Sequence, residues 1–279
     1  MTEFPFHQVD VFASSVYSGN PLAVVHGADA LSDEQMQAFA RWTNLSETTF
    51  LLRPTESGAD YRVRIFTPAY EMPFAGHPTL GSCHAWLQIG GQPAAQGRVV
   101  QECGIGLVTI RRDGERLAFA APPLQRSGPL PTQSVLQIAA ALGIDKGDIV
   151  DHQWADNGPN WQVVRLATAA QVRALQPNMS ALGDIKLGVV GAGETDDECQ
   201  FEVRAFAPKA GVPEDPVTGS LNAGIAQWLI GAGIAPDRYV AAQGTAIGRR
   251  GRVYVERDGD GTIWVGGLSV TRVEGTASF

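Results

Sequence analysis

VRIFTP at Val63–Pro68 recurs as VRAFAP at Val203–Pro208, 140 positions later. After each copy a Gly-Ser pair, Gly81-Ser82 or Gly219-Ser220, begins an apolar helical stretch. Further matches keep nearly this spacing, namely Trp86 with Trp228, Gln101 with Gln243, Ile105 with Ile247, and Gly106 with Gly248. These matches predict that the chain contains the same half twice. Two such halves predict a pseudo-twofold protein whose small-molecule site lies in the cleft between them, because ligands bind preferentially in clefts of this kind.

The size and composition suit two folded domains. The 279 residues allow two domains of about 140 residues each, and 44% apolar with 18% charged residues is typical of packed cores, not of disorder. Ala121–Pro131 carries four prolines and a glycine and is the predicted linker. We therefore place an N-terminal lobe at residues 1–124 and a C-terminal lobe at residues 125–279, with the last strand free to return to the first lobe.

Charge and apolar patterning exclude several classes of protein. The net charge of −8 and the scattered lysines and arginines argue against a nucleic-acid partner. The N-terminal residues lack the basic start and apolar run of a signal peptide, and no run of about 18 apolar residues could span a membrane. Cys83, Cys103 and Cys199 lack CxxC spacing, which predicts reduced thiols. We expect a cytoplasmic protein without a membrane or nucleic-acid partner.

The strand and helix patterns predict an α+β fold. Polar and apolar residues alternate at Tyr61–Phe66, and Asp113-Gly114 is the turn between two further strands, which indicates antiparallel hairpins. Pro78–Ile89 and Ser220–Ile230 are apolar on most sides, so each is predicted to be a helix buried at the centre of its half. Each half is therefore several strands around one buried helix, and not a doubly wound parallel sheet.

The loops before these two helices are the most unusual local sequences, PFAGHPTLGS from Pro73 to Ser82 and PEDPVTGS from Pro213 to Ser220. Glycines allow close approach of the backbone, and free N–H groups at a helix start attract anions. If the two halves face each other, both helix starts converge on one cleft and could hold a carboxylate or an enolate-like intermediate without a metal. The alternative is ordinary helix capping by hydroxyl side chains, namely Thr79, Thr218 or Ser220.

Three side chains near these loops are candidates for catalysis. His77 and Asp215 occupy matching places, 138 positions apart, where they could bind substrate or transfer a proton. A lone histidine is more often structural, and a lone aspartate before a helix is usually a cap. Glu47 lies in LSETTF beside an apolar strand, where a carboxylate needs partners; the alternative is an exposed turn. Cys83 is predicted to be a buried, inert thiol in a helix interior.

Motifs of several other chemistries do not occur in the sequence. No GxGxxG follows a strand, and neither GxxxxGK nor GxSxG occurs. The histidines show no metal-ligand spacing to each other or to a cysteine. The sequence therefore gives no support for nucleotide binding, a serine hydrolase or a metal site, and we expect no cofactor.

Four blocks along the chain resemble the signature blocks of the phenazine-biosynthesis PhzF-like family, namely GNPLAVV (Gly19–Val25), LSETTF (Leu45–Phe50), RIFTPAYEMPFAGH (Arg64–His77) and EDPVTGS (Glu214–Ser220). The match extends from about Phe6 to Gly275, nearly the whole chain. That family is similar in fold to diaminopimelate epimerase. The resemblance therefore implies two pseudo-symmetric lobes, each a β-barrel-like sheet wrapped around a central helix, with the site between them.

The resemblance also implies roles for particular residues. Glu47 matches the acid/base glutamate that moves a proton across a dihydro-hydroxyanthranilate without a cofactor, and His77 and Asp215 match residues that hold the substrate beside it. The predicted substrate-binding set comes from the glycine-rich loops and consists of Asn20, Gly76, Thr218, Gly219 and Ser220. The resemblance further implies a small carboxylate-bearing substrate and a homodimer.

Two alternatives to this isomerase stay open. Epimerases of the diaminopimelate type carry a cysteine at each central-helix entrance, whereas these places are Ala75 and Asp215 here. A two-thiol racemase is therefore disfavoured, and one carboxylate that moves a proton on one face is preferred. An epimerase in which Glu47 pairs with His77 or Asp215 on the opposite face is the first alternative. A small-molecule-binding protein that kept the fold without catalysis is the second, because function resides in sites and not in folds.

Overall fold

The polypeptide divides into two units, Met1–Ala120 with Gly266–Phe279, and Ala121–Val265. The structure is a computed structural model and describes residues 2–194 and 198–279. The first boundary between the units falls at the start of the proline-rich stretch. The end of the last strand belongs to the first unit.

The described residues form strands and α-helices in the following order. The strands are β1 (Glu3–Val11), β2 (Asn20–Val25), β3 (Thr48–Leu52), β4 (Tyr61–Phe66), β5 (Glu71–Met72), β6 (Arg98–Cys103), β7 (Gly106–Asp113), β8 (Arg116–Ala120), β9 (Asp151–Trp154), β10 (Trp161–Thr168), β11 (Lys186–Ala192), β12 (Phe201–Ala207), β13 (Val212–Asp215), β14 (Arg238–Gln243), β15 (Gly251–Arg257) and β16 (Ile263–Ser278). The α-helices are α1 (Asp33–Thr43), α2 (Gly76–Gln88), α3 (Thr132–Leu142), α4 (Ala169–Ala174), α5 (Met179–Leu182) and α6 (Gly219–Gly231). Within residues 2–194 and 198–279, no helix has the length and apolar character needed to cross a membrane.

The strands of the first unit close into a barrel. They pair in the order β1-β2-β3-β4-β6-β7-β8-β16, and β16 also pairs with β1. The closing register runs from Glu3 opposite Ser278 to Val11 opposite Ser269. Closure gives each of these strands a neighbour on both sides. The predicted barrel-like sheet is therefore confirmed for this unit.

The helix α2 is the buried helix of the first unit. It contacts β1, β2, β3, β6 and β8, and its first eight residues are all buried. The approach is close at Gly81, where a Cβ atom would lie 2.5 Å from Leu22 Cδ2 and 2.8 Å from Val11 Cγ2. The prediction of a buried central helix is confirmed. The helix begins at Gly76, however, and the Gly81-Ser82 pair lies inside it.

The second unit repeats the pairing of the first. The strands β10 and β11 are parallel, β11 and β12 antiparallel, β12 and β14 parallel, and β14 and β15 antiparallel. The strands β2, β3, β4, β6 and β7 pair in the same four ways. The central helices also have the same place in chain order: α2 lies between the short strand β5 and β6, and α6 lies between the short strand β13 and β14. The predicted duplication and α+β fold class are therefore confirmed.

The helix α6 packs as closely as α2 does. Ten of its residues are buried. At Gly224 a Cβ atom would lie 2.5 Å from the Ala155 carbonyl oxygen and 3.0 Å from Ala155 Cβ. Because backbone atoms cannot move aside as a side-chain end can, a glycine is needed at this contact.

Two further apolar clusters pack outer helices against the strands. In the first unit α1 covers a cluster of buried residues, namely Phe4, Val25, Ala28, Met36, Ala40, Phe50 and Phe66. In the second unit α3, which the sequence patterns did not indicate, packs with strand residues into another cluster that includes Val135, Ile138, Leu142, Val164, Leu166, Leu187, Val189 and Phe206. Each unit therefore has apolar packing outside its central helix as well as around it.

A buried pair of histidines lies in the first unit. His7 Nδ1 and His26 Nε2 are 2.7 Å apart, and a third histidine, His84, lies 3.1 Å from Thr271 Oγ1 through its Nε2. Burial, and then the nearby His7, lower the pKa of His26 to about 4. The same causes in the same order lower the pKa of His84 to about 4. Both imidazoles are therefore neutral in the folded protein near pH 7.

Gly224→Ala is expected to lower the free energy of unfolding by about 1–3 kcal/mol, because the new methyl group overlaps the Ala155 backbone. Gly231→Ala, at the end of the same helix, is the matched control, since nothing lies within 4 Å of a Cβ atom there. The control should be neutral or stabilising by up to about 1 kcal/mol. Urea unfolding of the two variants measures both effects. Equal stabilities would contradict the proposed close contact.

His26→Gln is expected to weaken the acid sensitivity of the fold. The folded state holds this pKa at about 4, below the ordinary value of 6.5, so the unfolded state binds more protons between these two pH values. The group has no effect above about pH 6.5, and stability falls as the pH drops to about 4, by an amount on the order of 3 kcal/mol. Urea unfolding from about pH 7.5 to 4 measures this slope. Plotted against pH, the free energies of unfolding of the wild type and the variant should differ by a constant amount above pH 6.5 and converge below it. A constant difference over the whole pH range would exclude this role for His26.

Candidate active site

The helices α2 and α6 begin without a side-chain cap. Their N-cap residues, Ala75 and Thr218, have extended backbone angles and make no capping hydrogen bond to the helix. By contrast, α1 and α4 begin with complete capping boxes at Ser32 and Thr168. An uncapped start offers amide hydrogens and the positive end of the helix dipole to an anion. Ordinary capping therefore does not account for the two unusual loops.

Glu47 and His77 lie side by side at the start of α2. Glu47 Oε2 is 3.0 Å from His77 Nδ1, and the two side chains are 16% and 4% exposed. The two atoms are within ion-pair distance, and Glu47 Oε2 is buried and accepts no hydrogen bond among the described residues. His77 Nε2, across the ring, is likewise buried with no hydrogen-bond partner in the described part of the chain. The alternative interpretation from the sequence, in which Glu47 is an exposed turn residue, is therefore wrong.

The periodicities of strand and helix explain this approach. Ser82 Oγ donates to Thr49 Oγ1 at 3.0 Å, which joins α2 to β3. Glu47 lies two residues before Thr49, on the same side of the extended chain. Two strand residues span about 7 Å, and the five helix residues from Ser82 back to His77 span about the same length. The carboxylate and the imidazole therefore reach the same level of the barrel.

The buried atoms Glu47 Oε2 and His77 Nε2, which make no hydrogen bond among the described residues, carry an energetic cost. A buried polar group without a partner costs about 1–3 kcal/mol, and a catalytic role is one physical reason for retaining it. The carboxylate can accept a proton, the imidazole can accept or donate one, and the helix start can stabilise negative charge. The arrangement is suited to proton transfer at a small anionic molecule.

A buried glutamine fixes the first turns of α2. Gln101 is completely buried and donates from Nε2 to Thr79 Oγ1 at 3.0 Å. Its Oε1 accepts the Tyr61 hydroxyl at 2.9 Å. Burial raises the pKa of Tyr61 well above its usual value, so this hydroxyl keeps its proton and remains a donor. These bonds hold the helix two residues beyond His77.

The matching glutamine of the second unit organises Asp215. Gln243 donates to Thr218 Oγ1 at 2.9 Å and to the Asp215 carbonyl oxygen at 3.1 Å. Its Oε1 accepts the Thr218 amide at 3.0 Å and Asn222 Nδ2 at 2.8 Å. The Thr218 hydroxyl in turn donates to Asp215 Oδ2 at 2.5 Å. This chain of hydrogen bonds needs Asp215 as an acceptor and fixes its orientation before α6.

Ser220, the second residue of α6, is held by the loop between β9 and β10 and by the first residue of β10. Trp161 Nε1 donates to Ser220 Oγ at 3.1 Å, and Asn157 Nδ2 donates to the Ser220 carbonyl oxygen at 2.9 Å. Gly219 is the first residue of α6 and is buried. Sequence reasoning missed the contacts of Asn157 and Trp161. A signal for them exists in the Asn-Gly-Pro-Asn turn before β10, which has the same residue types as the Gly-Asn-Pro tripeptide at the start of β2.

Asn20 begins β2 at the end of a tightly held loop. The Asp10 carboxylate accepts hydrogen bonds from the Ser18 amide at 3.0 Å and from the Gly19 amide at 2.9 Å. Asn20 is buried, and Gly76 is the buried first residue of α2. The part of these two residues in substrate binding stays a prediction.

The structure changes the predicted equivalence of His77 and Asp215. His77 is the second residue of α2, whereas Asp215 is the last residue of β13 and precedes α6. The residue of α6 in the helical position of His77 is Ser220. The physical reason is a longer connection between the repeated strand and the central helix in the second unit. The imidazole and the carboxylate are therefore not copies of one another.

Cys83 is the buried thiol that its place in the helix predicts. It is completely buried, and burial is the main cause that raises its pKa far above the usual value. The thiol therefore stays protonated and is a poor nucleophile. Among residues 2–194 and 198–279, no group of three or more His, Cys, Asp or Glu side chains is arranged to hold a metal ion.

The structure brings the candidate residues together in two groups. Glu47 and His77 are in contact in the first unit. Asp215 and Thr218 are in contact in the second unit, and Thr218 directly precedes Gly219 and Ser220, the first two residues of α6. Roles of these residues in catalysis and binding stay predictions.

The strands wrapped around a buried helix agree with the diaminopimelate epimerase-like fold that the sequence resemblance implies, and a carboxylate and an imidazole lie at the uncapped start of α2. The chain belongs to the phenazine biosynthesis-like protein family (PhzC-PhzF), whose sequence profile matches residues 9–275. The family resemblance of the four signature blocks is thereby confirmed.

Relatives of this chain include enzymes named isomerases. The chain is similar to trans-2,3-dihydro-3-hydroxyanthranilate isomerase from Pseudomonas aeruginosa, with 37% identity over 96% of this chain and 97% of the relative. It is also similar to antisense-enhancing sequence 1 from Schizosaccharomyces pombe, with 36% identity over 99% of each. The names of the isomerases support isomerase activity at the level of the family.

Solved structures share the fold. A PhzF-family phenazine biosynthesis protein from Enterococcus faecalis matches with a TM-score of 0.83 and 26% identity over 100% of both chains. A hydroxyproline epimerase from Agrobacterium vitis matches with a TM-score of 0.59 and 12% identity over 98% of this chain and 92% of that one, which shows the fold alone. These structures confirm the predicted fold class.

Thr218→Val removes the hydroxyl that links Gln243 to Asp215. Because buried polar atoms then lose a partner, we expect the free energy of unfolding to fall by about 1–3 kcal/mol. Thr218→Ser keeps the hydroxyl and is the matched control, with a clearly smaller loss. Urea unfolding followed by circular dichroism compares the two variants. If serine and valine cost the same, the hydroxyl does not organise this helix start.

Proposed function

We propose that this chain is an isomerase that moves a proton within a small carboxylate-bearing substrate, with Glu47 as the single acid/base and without a cofactor. The observation that supports it is the 3.0 Å approach of Glu47 Oε2 to His77 Nδ1 at the uncapped start of α2. A base, a proton-handling neighbour and a site for negative charge are thereby close together. These are the groups that proton abstraction beside a carbonyl or carboxyl group requires.

The proposed reaction has two proton transfers. The Glu47 carboxylate removes a proton from one carbon of the substrate, and the electron pair left behind delocalises into the unsaturated system and the carboxylate. The amides at the start of α2 stabilise this negative charge. Protonated Glu47 then returns the proton to a different carbon on the same face, which moves the double bond. Atoms and electrons balance without an oxidant or a reductant.

The other predicted residues are proposed to bind the substrate. His77 Nε2, buried without a partner among the described residues, is available to a polar group of the substrate, and its Nδ1 faces Glu47. Asp215 is proposed to hold a hydrogen-bond donor of the substrate, such as an amine. The remaining contacts are assigned to the glycine-rich loops, namely Asn20, Gly76, Thr218, Gly219 and Ser220.

The name of the Pseudomonas aeruginosa relative suggests the substrate class. That protein is named for trans-2,3-dihydro-3-hydroxyanthranilate, a cyclic acid with an amino and a hydroxyl group. We extend this class of substrate to the present chain, which is 37% identical to the relative. A homodimer without a nucleic-acid partner also belongs to the proposal, on the family resemblance.

Inversion at a chiral carbon is the competing enzymatic function. It needs two groups on opposite faces of that carbon, and the diaminopimelate type supplies two thiols. The N-cap residue of α2 is Ala75, and the one cysteine within α2 is the buried, protonated Cys83. The two-thiol form is therefore disfavoured. A single carboxylate that works on one face remains the better match to these side chains.

Glu47→Gln is expected to lower kcat on trans-2,3-dihydro-3-hydroxyanthranilate by about 100-fold to 10,000-fold, because the amide cannot take up the proton. The measurement is product formation in deuterium oxide, with NMR detection of deuterium in the product. Wild-type enzyme should show turnover with isotope incorporation or internal return. The variant should bind the substrate with a similar dissociation constant.

Glu115→Gln, an exposed glutamate of the same unit, is the control for the loss of one negative charge. It should leave kcat unchanged. Full activity of Glu47→Gln would falsify the single-base mechanism. Tight binding of the acid by the wild type without turnover or isotope exchange would instead support the non-catalytic alternative, and racemised chiral amino or hydroxy acids would support the epimerase.

A further inference from the structure

An arginine occupies the same place in both copies of the repeated strand motif. Arg64 binds Glu71 with two hydrogen bonds of 2.8 and 2.7 Å, and Arg204 binds Glu214 with two of 2.9 and 2.7 Å. Each glutamate lies in the segment between that strand and the central helix. Each guanidinium also lies over the phenylalanine two residues further on, at 5.1 Å and 5.0 Å from the ring centre. The repeat thus contains a duplicated arginine–glutamate clamp.

The two clamps differ in burial. The side chains of Arg64 and Glu71 are 17% and 41% exposed, whereas those of Arg204 and Glu214 are only 5% and 9% exposed. A buried ion pair gains little net stability, because desolvation offsets the attraction, so stability alone does not explain its presence. The buried ion pair instead fixes the orientation of the glutamate, since a guanidinium that makes two hydrogen bonds to a carboxylate accepts only one orientation of it.

The buried clamp has additional anchors at the end of α4. Arg204 Nη1 donates to the carbonyl oxygens of Val172 at 3.2 Å and Leu175 at 2.7 Å. The guanidinium is thus held by two backbone acceptors before it binds Glu214. The position of Glu214 is therefore set by the strand, by α4 and by the Phe206 ring together.

Glu214 is the residue directly before Asp215. The strands β12 and β13 pair with Ala205 opposite Asp215 and Ala207 opposite Val212, so β13 has one extra residue between these two pairs, as at a β-bulge. Glu214 points to Arg204, and Asp215 points to Thr218. Because an irregular strand does not by itself fix the direction of its side chains, the clamp on Glu214 restricts where the neighbouring Asp215 side chain lies.

We propose that Arg204 and Glu214 are positioning residues that hold Asp215 in place for substrate binding. This inference rests on the proposed function of Asp215. The proposal assigns neither clamp residue a contact with the substrate. Their effect on the reaction passes entirely through the carboxylate of Asp215.

The test is a double-mutant cycle in the full chain. Arg204→Lys keeps the charge but loses the fork geometry, and Glu214→Gln keeps the shape but loses the charge. Each is expected to reduce kcat/KM for trans-2,3-dihydro-3-hydroxyanthranilate by about 10-fold to 100-fold, because a small displacement of a substrate-holding group has effects of this size. In an Asp215→Asn background the same substitutions should cause no further loss.

This non-additivity separates positioning from a general structural role. Additive losses in the Asp215→Asn background would overturn the proposal, because the clamp would then act independently of Asp215. Arg238→Lys is the matched control, since Arg238 also pairs with a glutamate of the second unit but is 79% exposed. It should leave kcat/KM unchanged in both backgrounds.

Hydrogen exchange separates failure of this inference from failure of the proposed function. Arg204→Lys and Glu214→Gln should speed amide exchange in residues 212–218 and leave β14 and β15 protected, whether or not the wild type turns over the probe substrate. If the wild type shows no turnover, the proposed function fails, and the exchange data alone then test whether Arg204 and Glu214 hold residues 212–218 in place. Unchanged exchange in residues 212–218 of both variants would overturn the clamp.

Discussion

A buried glutamine in each unit constrains the placement of the central helix through hydrogen bonds near its first turn. Because α2 and α6 are apolar on nearly all sides, apolar packing alone leaves their rotation and their position along the axis weakly defined. Gln101 bonded to Thr79, and Gln243 bonded to Thr218 and Asn222, supply the directional contacts. In a low-dielectric interior a satisfied hydrogen bond is strong and a broken one is costly, so movement of either helix is opposed. The side chains at the helix starts are placed by this constraint.

The two copies keep the scaffold and differ in the chemical groups at the helix start. The second helical position is His77 in α2 and Ser220 in α6. Glu47 directly precedes β3, whereas the residue directly before β11 is Ile185. The carboxylate of the second unit is instead Asp215, at the end of β13. The two helix starts therefore carry different chemical groups on a common strand order, which is not the arrangement of a symmetric pair of bases.

Local signals in the sequence predicted the repeated strands, the buried helices and the candidate residues, because repeated strings and apolar periodicity are visible without tertiary contacts. The helix α3 was missed, since it begins after Pro131 without a side-chain cap. The predicted helix over Pro78–Ile89 begins two residues late and the Gly81-Ser82 pair lies inside α2, because the unequal connections before the two helices are not apparent from a nearly constant spacing. The contact between Glu47 and His77 depends on the bond between Ser82 and Thr49, which only the folded barrel provides.

The hydrogen bonds of the two carboxylates favour a division of labour. Asp215 Oδ2 already accepts the Thr218 hydroxyl at 2.5 Å, and a proton on that oxygen would disrupt the chain of bonds to Gln243. Glu47 Oε2 accepts no hydrogen bond within the described residues, and the group at ion-pair distance, His77 Nδ1 at 3.0 Å, can itself take up or give a proton. A group that repeatedly takes up and returns a proton works best where neither state breaks an existing bond. Glu47 meets this condition and Asp215 does not, which makes the glutamate the stronger candidate for the base and the aspartate the stronger candidate for orienting the substrate.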